Sequence, residues 1–345
     1  MSPSCPPSLS ASRAPLATWL RRCLEGEAIA PFALPGARAV PRGEGVLELQ
    51  PEHPAEAARA CVISVGIHGD ETAPIELLQA CLARLAEGEA GAGAPALLVL
   101  GSPEAVRRQV RFVATNLNRL FRRDLDEVGA EPERARTLMA AVDAFFARHP
   151  DRERLHYDLH TAIRDSRYPR FAVEPFDDKT RTPAEQWRWL AAAGLQAVLH
   201  QHRHSWTFSH YSKHTHGATA FTLELGRVRP FGHNDLAPLA PMGRLLQALL
   251  AGRRPAEGDP ARLAFFRVEQ ELMRHGEAFR LAFADDTPNF TQFAPGTLLA
   301  EDGEHGETRV GEAPLAVVFP NAAVELGARA ALLARPVPPP ANTSG

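Results

Sequence analysis

The chain has 345 residues, enough for one large domain and a small companion, because single cores stop growing near roughly 250–300 residues. Hydrophobic residues make up 45% and charged residues 23%, the balance of an ordinary globular protein. Lys plus Arg total 38 against 41 for Asp plus Glu, which excludes the basic footprint of a nucleic-acid binder and leaves no long basic run for a membrane surface.

No run approaches about 18 consecutive apolar residues, so a membrane-spanning helix is not expected. Residues 1–12 are rich in Ser and Pro and read as a loose leader without the apolar core of a secretory signal. Cys5, Cys23, Cys61 and Cys81 lie apart with no CxxC spacing, which suits a reducing compartment rather than a disulfide framework. A cytoplasmic location is expected.

Residues 16–24 predict a short amphipathic helix and 45–49 a strand. Residues 60–65, ACVISV, form an apolar run suited to a buried strand, and it stops at Gly66-Ile67-His68-Gly69-Asp70. Ile75, Leu78, Leu82 and Leu85 then recur at helical spacing over 72–86. This strand–loop–helix unit puts the loop at the strand's carboxyl end, where open α/β sheets bind ligands. Strands are expected at 96–101, 110–114, 155–160, 197–200 and 220–225. Helices are expected at 134–148, 187–192 and 236–251.

Alternating strands and helices predict an α/β sandwich with a mixed sheet. Gly252 to Pro260 reads as a linker. Short apolar runs at 281–283, 298–300 and 315–319 then predict a small β-rich unit. The organisation expected is a leader with a short helix at 1–44, a catalytic domain at 45–252, the β-rich domain at 260–335 and a Pro-rich tail at 336–345.

His68 and Glu71 stand three residues apart in one loop, and His160 closes a separate strand. Two imidazoles and a carboxylate are the ligand types of a catalytic zinc site, which leaves a further position for water. Alone, an HxxE spacing is weakly specific. Three more polar groups also follow strands, however: Arg111 with Asn116-Leu117-Asn118-Arg119, Asp158-Leu159-His160-Thr161, and Thr222-Leu223-Glu224-Leu225-Gly226.

Their order, HGDE, R, NLNR, DLH, TLELG, resembles the zinc carboxypeptidase superfamily in its aspartoacylase and succinylglutamate desuccinylase branch. The words around His68, the run Asp158 to Arg167 and Phe319-Pro320-Asn321-Ala322 are most similar to the desuccinylase side. The resemblance spans residues 45–335. It implies a zinc-carboxypeptidase-like three-layer α/β/α sandwich with a small C-terminal β-rich domain. It implies one zinc ion per chain on His68, Glu71 and His160, with Glu224 as general base and Arg111 polarising the scissile carbonyl. Asn118 and Arg119 would clamp a substrate carboxylate. Asn116 stands where family members commonly carry Asp, which touches hydrogen bonding around the ligands and not the ligands themselves.

The activity implied is hydrolysis of N-succinyl-L-glutamate to succinate and glutamate, the last step of an arginine-degrading route. An aspartoacylase-like deacylase, a zinc carboxypeptidase and a non-catalytic zinc module remain open, although Glu224 and Arg111 speak against the last. The expected partner is a small polycarboxylate, so several fixed cations are needed, and arginine forks match carboxylates. Arg164, Arg167 and Arg170 crowd the segment after His160 and are candidates for a distal carboxylate. His200, His202, His204, His210, His214 and His216 have no accompanying carboxylate. They read as a mobile loop near the pocket, with Ser205 to Ser212 lining the substrate site, rather than as a second metal site.

Overall fold

The computed structural model describes residues 16–88 and 91–340, so the leader expected at 1–12 lies outside the described residues. In chain order the helices and strands of the first half are α1 (Trp19–Leu24), β1 (Phe32–Leu34), β2 (Ala37–Gly43), β3 (Val46–Pro51), β4 (Ala60–Val65), α2 (Thr72–Ala86), β5 (Ala96–Leu100), α3 (Pro103–Arg108) and α4 (Ala130–Arg148). There follow β6 (Arg154–Ala162), β7 (Arg170–Glu174), α5 (Ala184–Ala192), β8 (Ala197–His200), α6 (Phe208–His216), β9 (Thr219–Arg227) and α7 (Ala240–Leu250). The remainder, apart from one-turn 3-10 helices at Pro260–Arg262 and Gly303–His305, is strand: β10 (Ala264–Met273), β11 (Phe279–Leu281), β12 (Thr291–Phe293), β13 (Leu298–Asp302), β14 (Gly306–Arg309), β15 (Leu315–Val318) and β16 (Arg329–Val337).

Thirteen strands form one sheet in the order β1-β2-β3-β5-β4-β6-β9-β7-β8-β10-β16-β15-β12, and β11, β13 and β14 form a second, small one. The centre, β5-β4-β6-β9, is parallel. Every residue of β4 is buried, as a parallel strand covered on both faces requires. On one face, Ile75, Leu78, Leu82 and Leu85 of α2 join Leu246 and Leu249 of α7 in the larger core. On the other, Leu138, Val142 and Phe145 of α4 pack with Phe208 and Tyr211 of α6. These layers make the expected α/β/α sandwich. Among the described residues no helix is long and apolar enough to cross a membrane.

The crossovers fix the place of the site. The chain leaves the carboxyl end of β4 toward β5 on one side, and leaves β6 toward β7 on the other. The strand order therefore reverses between β4 and β6, which opens a crevice at their carboxyl ends. The loop with His68 and Glu71 follows β4, and His160 ends β6.

Three elements differ from the sequence reading. Residues 110–114 are a surface loop rather than a strand: Val110, Phe112 and Val113 stand exposed, and the amides of Val113 and Ala114 donate to Glu131 Oε1 at 3.0 and 2.8 Å. An apolar run without a neighbouring strand to pair with does not make one. A hairpin, β1–β2, extends the sheet ahead of residue 45. The C-terminal strands also continue the main sheet, because β10 pairs in parallel with β8 and antiparallel with β16. Phe171 and Leu199 share a core with Phe266 and Leu332 across that seam. β16 runs on to Val337, two positions into the stretch read as tail.

The loop after β4 sits against α3 so closely that a Cβ on Gly69 would lie 2.1 Å from the Ala105 carbonyl carbon. That atom is backbone and cannot swing aside. Gly69→Ala is expected to cost at least about 2 kcal/mol and to displace His68, lowering both the denaturation midpoint and metal uptake. A variant matching wild type in both measurements would show that the loop yields.

Candidate metal centre and active site

Glu71 is 2% exposed and lies between the two histidines. His68 Nδ1 is 2.8 Å from its Oε1, and His160 Nδ1 is 2.9 Å from its Oε2. Arg111 donates to Oε1 at 2.8 Å, and the Thr161 amide to Oε2 at 3.0 Å. A buried carboxylate needs partners, since an unpaired one would cost several kcal/mol. Burial resists charge on Glu71, yet His68 and His160 hold its carboxyl well below the usual range.

Each imidazole is oriented from behind. His160 Nε2 meets Asp158 Oδ2 at 2.9 Å, and His68 Nε2 meets Asn116 Oδ1 at 3.1 Å. Asp158 is itself held by the Ser64 hydroxyl, which donates at 2.6 Å. Ser64 then contacts His156 at 2.9 Å, and His156 contacts Ser212 of α6 at 2.7 Å. Holding the outer nitrogen leaves Nδ1 of each ring facing inward, as in carboxylate–histidine–metal arrangements. The ligand atoms of His68, Glu71 and His160 all lie within 4.8 Å of one another, so the donor set fits a single divalent ion.

Protonation agrees with that fit. Burial pushes His68 down to about 4, so it is neutral near pH 7, the form that binds metals. Burial also opposes charge on His160, but Asp158 and Glu71 on its two sides outweigh it and hold its proton. A cation between the rings would take over that proton's electrostatic role.

Register supplies the next group. β6 and β9 pair in parallel with His160 opposite Glu224, so both side chains leave the sheet on the same face. Glu224 is 7% exposed, and its Oε2 has no hydrogen-bond partner among the described residues. Burial, with the Glu71 charge nearby, pushes its carboxyl up to about 7. An unpartnered acid of that pKa at a crevice is suited to proton transfer.

Asn118 and Arg119 form a one-turn 3-10 helix with Leu117. Asn118 Oδ1 accepts from the Phe208 amide at 3.0 Å, which leaves its Nδ2 free to donate. Arg119 Nη1 donates to the Asn118 carbonyl at 2.7 Å, and Arg119 has no ion pair among the described residues. Burial, with the positive charges of Arg329 and Arg111, pushes Arg119 down to about 9. Arg329 begins β16, and nothing local in the sequence marks it; only the joining of β16 to the main sheet brings it there. Asn116, Asp158 and Ser64 likewise emerge as orienting groups. Asn116 lies at hydrogen-bond distance from the candidate ligand His68.

The three later arginines separate. Arg164 donates to the Pro320 carbonyl, and Arg167 to Thr291 at 3.3 Å, so both tie the segment after β6 to the C-terminal strands. Arg170 is a correction. In the β7–β9 register it pairs with Leu225, while Phe171 pairs with Glu224. Neighbouring side chains on a strand alternate between faces, so Arg170 lies on the face opposite Glu224, where its Nε donates to the Gly194 carbonyl. Closeness in sequence to Arg164 and Arg167 could not reveal that.

The histidine-rich segment is not a loose loop. His200 ends β8, and His210, His214 and His216 lie on α6. His200 pairs with Glu174 and His216 with Asp143, at 2.6 and 2.7 Å. α6 forms because Thr207 caps it, accepting from the His210 amide, and because Phe208 and Tyr211 bury against the sheet.

Comparison with known proteins agrees with this architecture. The profile described as succinylglutamate desuccinylase/aspartoacylase catalytic domain matches residues 57–251, and that of the AstE/AspA barrel-sandwich hybrid domain matches residues 261–337. The chain is 44% identical over 298 residues to a succinylglutamate desuccinylase of Pseudomonas paraeruginosa, covering 85% of this chain and 89% of that one. A succinylglutamate desuccinylase of Serratia proteamaculans is 43% identical, with 84% and 88% covered. The crystal structure of the Vibrio parahaemolyticus protein of that name superposes with a TM-score of 0.83 at 35% identity, covering 96% and 97%. The chain belongs to the succinylglutamate desuccinylase/aspartoacylase family of metal-dependent hydrolases.

Proposed function

We propose that this chain hydrolyses N-succinyl-L-glutamate to succinate and L-glutamate with zinc held by His68, Glu71 and His160. The observation that carries the reading is the pairing of an unpartnered, buried Glu224 with that three-ligand cluster across one strand pair. The naming of relatives more than 40% identical over most of their length favours the succinyl substrate over acetylated or peptidyl ones. The buried thiols Cys23, Cys61 and Cys81 are free, which supports a reducing, cytoplasmic setting.

A zinc ion there would lower the pKa of a water toward about 7 and draw charge from the scissile carbonyl. Glu224 removes the proton from the attacking water and later delivers it to the leaving α-amino nitrogen, so the enzyme ends the cycle unchanged in charge. Arg111, 31% exposed in its side chain, donates to the carbonyl oxygen as it becomes anionic. Asn118 Nδ2 and the Arg119 fork hold a glutamate carboxylate. N-succinylglutamate has three carboxylates, and Arg164 and Arg167, on the rim beyond His160, are the proposed partners for a distal one, beside Arg329.

The reading is tested by succinate release from succinyl-, acetyl- and peptidyl-glutamate, with and without chelator and with metal analysis. The succinyl substrate should be preferred and chelation should abolish turnover; equal rates on all three would overturn the assignment. In Arg164→Met and Arg167→Met, KM should rise on the succinyl substrate in at least one variant. Unchanged ratios in both would remove this pair.

One preorganised oxyanion donor is worth roughly 100- to 1000-fold in kcat. Arg111→Ala should therefore lower kcat by about that factor while zinc content stays at the wild-type level. Near-wild-type turnover would remove Arg111 from the chemistry.

Glu224 also carries a stability signature. In the metal-free folded protein it keeps its proton up to about 7, against an ordinary value of 4.5. Its contribution is thus fully present below pH 4.5 and is lost as pH rises to about 7. Glu224→Gln should abolish hydrolysis and, by denaturant titration, make the metal-free protein more stable than wild type by on the order of 1–3 kcal/mol above pH about 8. Below pH about 4 the gap should vanish. An equal gap at both pH values would mean that Glu224 does not titrate as stated.

A further inference from the structure

A second group of side chains that could hold a metal ion shares no residue with the candidate active site. His204, in the loop after β8, and His210 and His214 of α6 each offer a ring nitrogen, and these atoms lie within 4.8 Å of one another. Positions 210 and 214 are one helical turn apart, so their rings project from the same face, and they stack at 5.3 Å with an interplanar angle of 12°. The His204 ring is 4.9 Å from His210 and 4.6 Å from His214.

His210 is the unusual member. It is 1% exposed, yet neither ring nitrogen has a hydrogen-bond partner among the described residues. Buried side-chain polar atoms in folded proteins nearly always find one. A neutral imidazole has one lone pair to give, and the other two lone pairs of the trio converge on the same space. His214 is oriented from outside: its Nδ1 contacts Asp177 Oδ1 at 3.4 Å, and Asp177 is in turn held by the Thr180 amide at 2.7 Å. That leaves His214 Nε2 for a ligand bond, the carboxylate–histidine pattern of metal sites.

We propose that His204, His210 and His214 form a second site for a divalent transition-metal ion. Three imidazoles are a known catalytic zinc ligand set, and imidazole suits zinc, copper and nickel. Nitrogens about 2.1 Å from one ion stand roughly 3.4 Å apart, so closure needs only small rotations of the two rings on the solvent side. An ion here ties the loop after β8 to α6. That loop contacts the segment just after the carboxylate clamp through Trp206, whose carbonyl accepts from the Phe121 amide at 3.2 Å, and α6 contacts the clamp itself through Phe208, whose amide donates to Asn118. The site thus braces the clamp without touching substrate.

The test is metal stoichiometry, which does not depend on activity. Protein stripped with chelator is equilibrated with zinc, dialysed and analysed for zinc per chain. His204→Ala and His214→Ala remove rings outside the core, so both variants should fold, with circular dichroism as the check. Each should bind about one equivalent less than wild type. His68→Ala should also lose about one equivalent, and His68→Ala combined with His214→Ala about two. Equal zinc content in wild type, His204→Ala and His214→Ala overturns the proposal, whatever the His68 variant shows. Failure of the candidate active site would instead appear as no loss in His68→Ala alone.

Discussion

Everything in the crevice depends on one buried carboxylate. Glu71 is taken out of water between two imidazoles, a guanidinium and a backbone amide, because a lone buried charge would be intolerable. That requirement fixes three separate pieces of chain at once: the loop after β4, the end of β6 and the surface loop carrying Arg111. The Gly69 amide reinforces the arrangement by donating to the Arg111 carbonyl at 3.1 Å. The same cluster gathers His68, Glu71 and His160 closely enough that they could hold a metal ion.

The cost of this preorganisation is visible one strand away. Glu224 is buried with an oxygen that no donor among the described residues satisfies, a condition that stable cores avoid and that proton-transfer sites use. The sheet tolerates it because its neighbours are strongly paired. Leu223 and Leu225 pack into the larger core on the opposite face, and His160 is anchored by Asp158. Stability and reactivity therefore occupy alternate residues of β9, as strand geometry permits.

The C-terminal strands are part of the same construction. By pairing with β8, β10 removes what would be an exposed sheet edge and carries β16, with Arg329, toward the clamp. Arg164 and Arg167 lock that arrangement through the Pro320 carbonyl and Thr291. A unit readable in sequence only as a small β-rich domain thus brings Arg329, which pairs with Glu271 at 3.7 Å, within electrostatic reach of Arg119.

The local units were legible in the sequence. ACVISV followed by a glycine-bounded loop and an Ile75–Leu85 stripe specifies strand, loop and helix without outside information, because period and turn chemistry are properties of short segments. The ordered words around His68, His160 and Glu224 identified the family for the same reason. What the sequence did not decide was which residues meet across strands. Arg170 looked like a partner of Arg164 and Arg167 until the β7–β9 register placed it on the other face. Val110 to Ala114 had the apolar content of a strand but no neighbour to bond. Arg329 had no local mark at all. Six histidines looked alike until folding set His200, His214 and His216 beside carboxylates and gathered His204, His210 and His214 around a common space. Register, sheet order and burial are set by contacts between residues far apart in the chain, and those exist only in the tertiary structure.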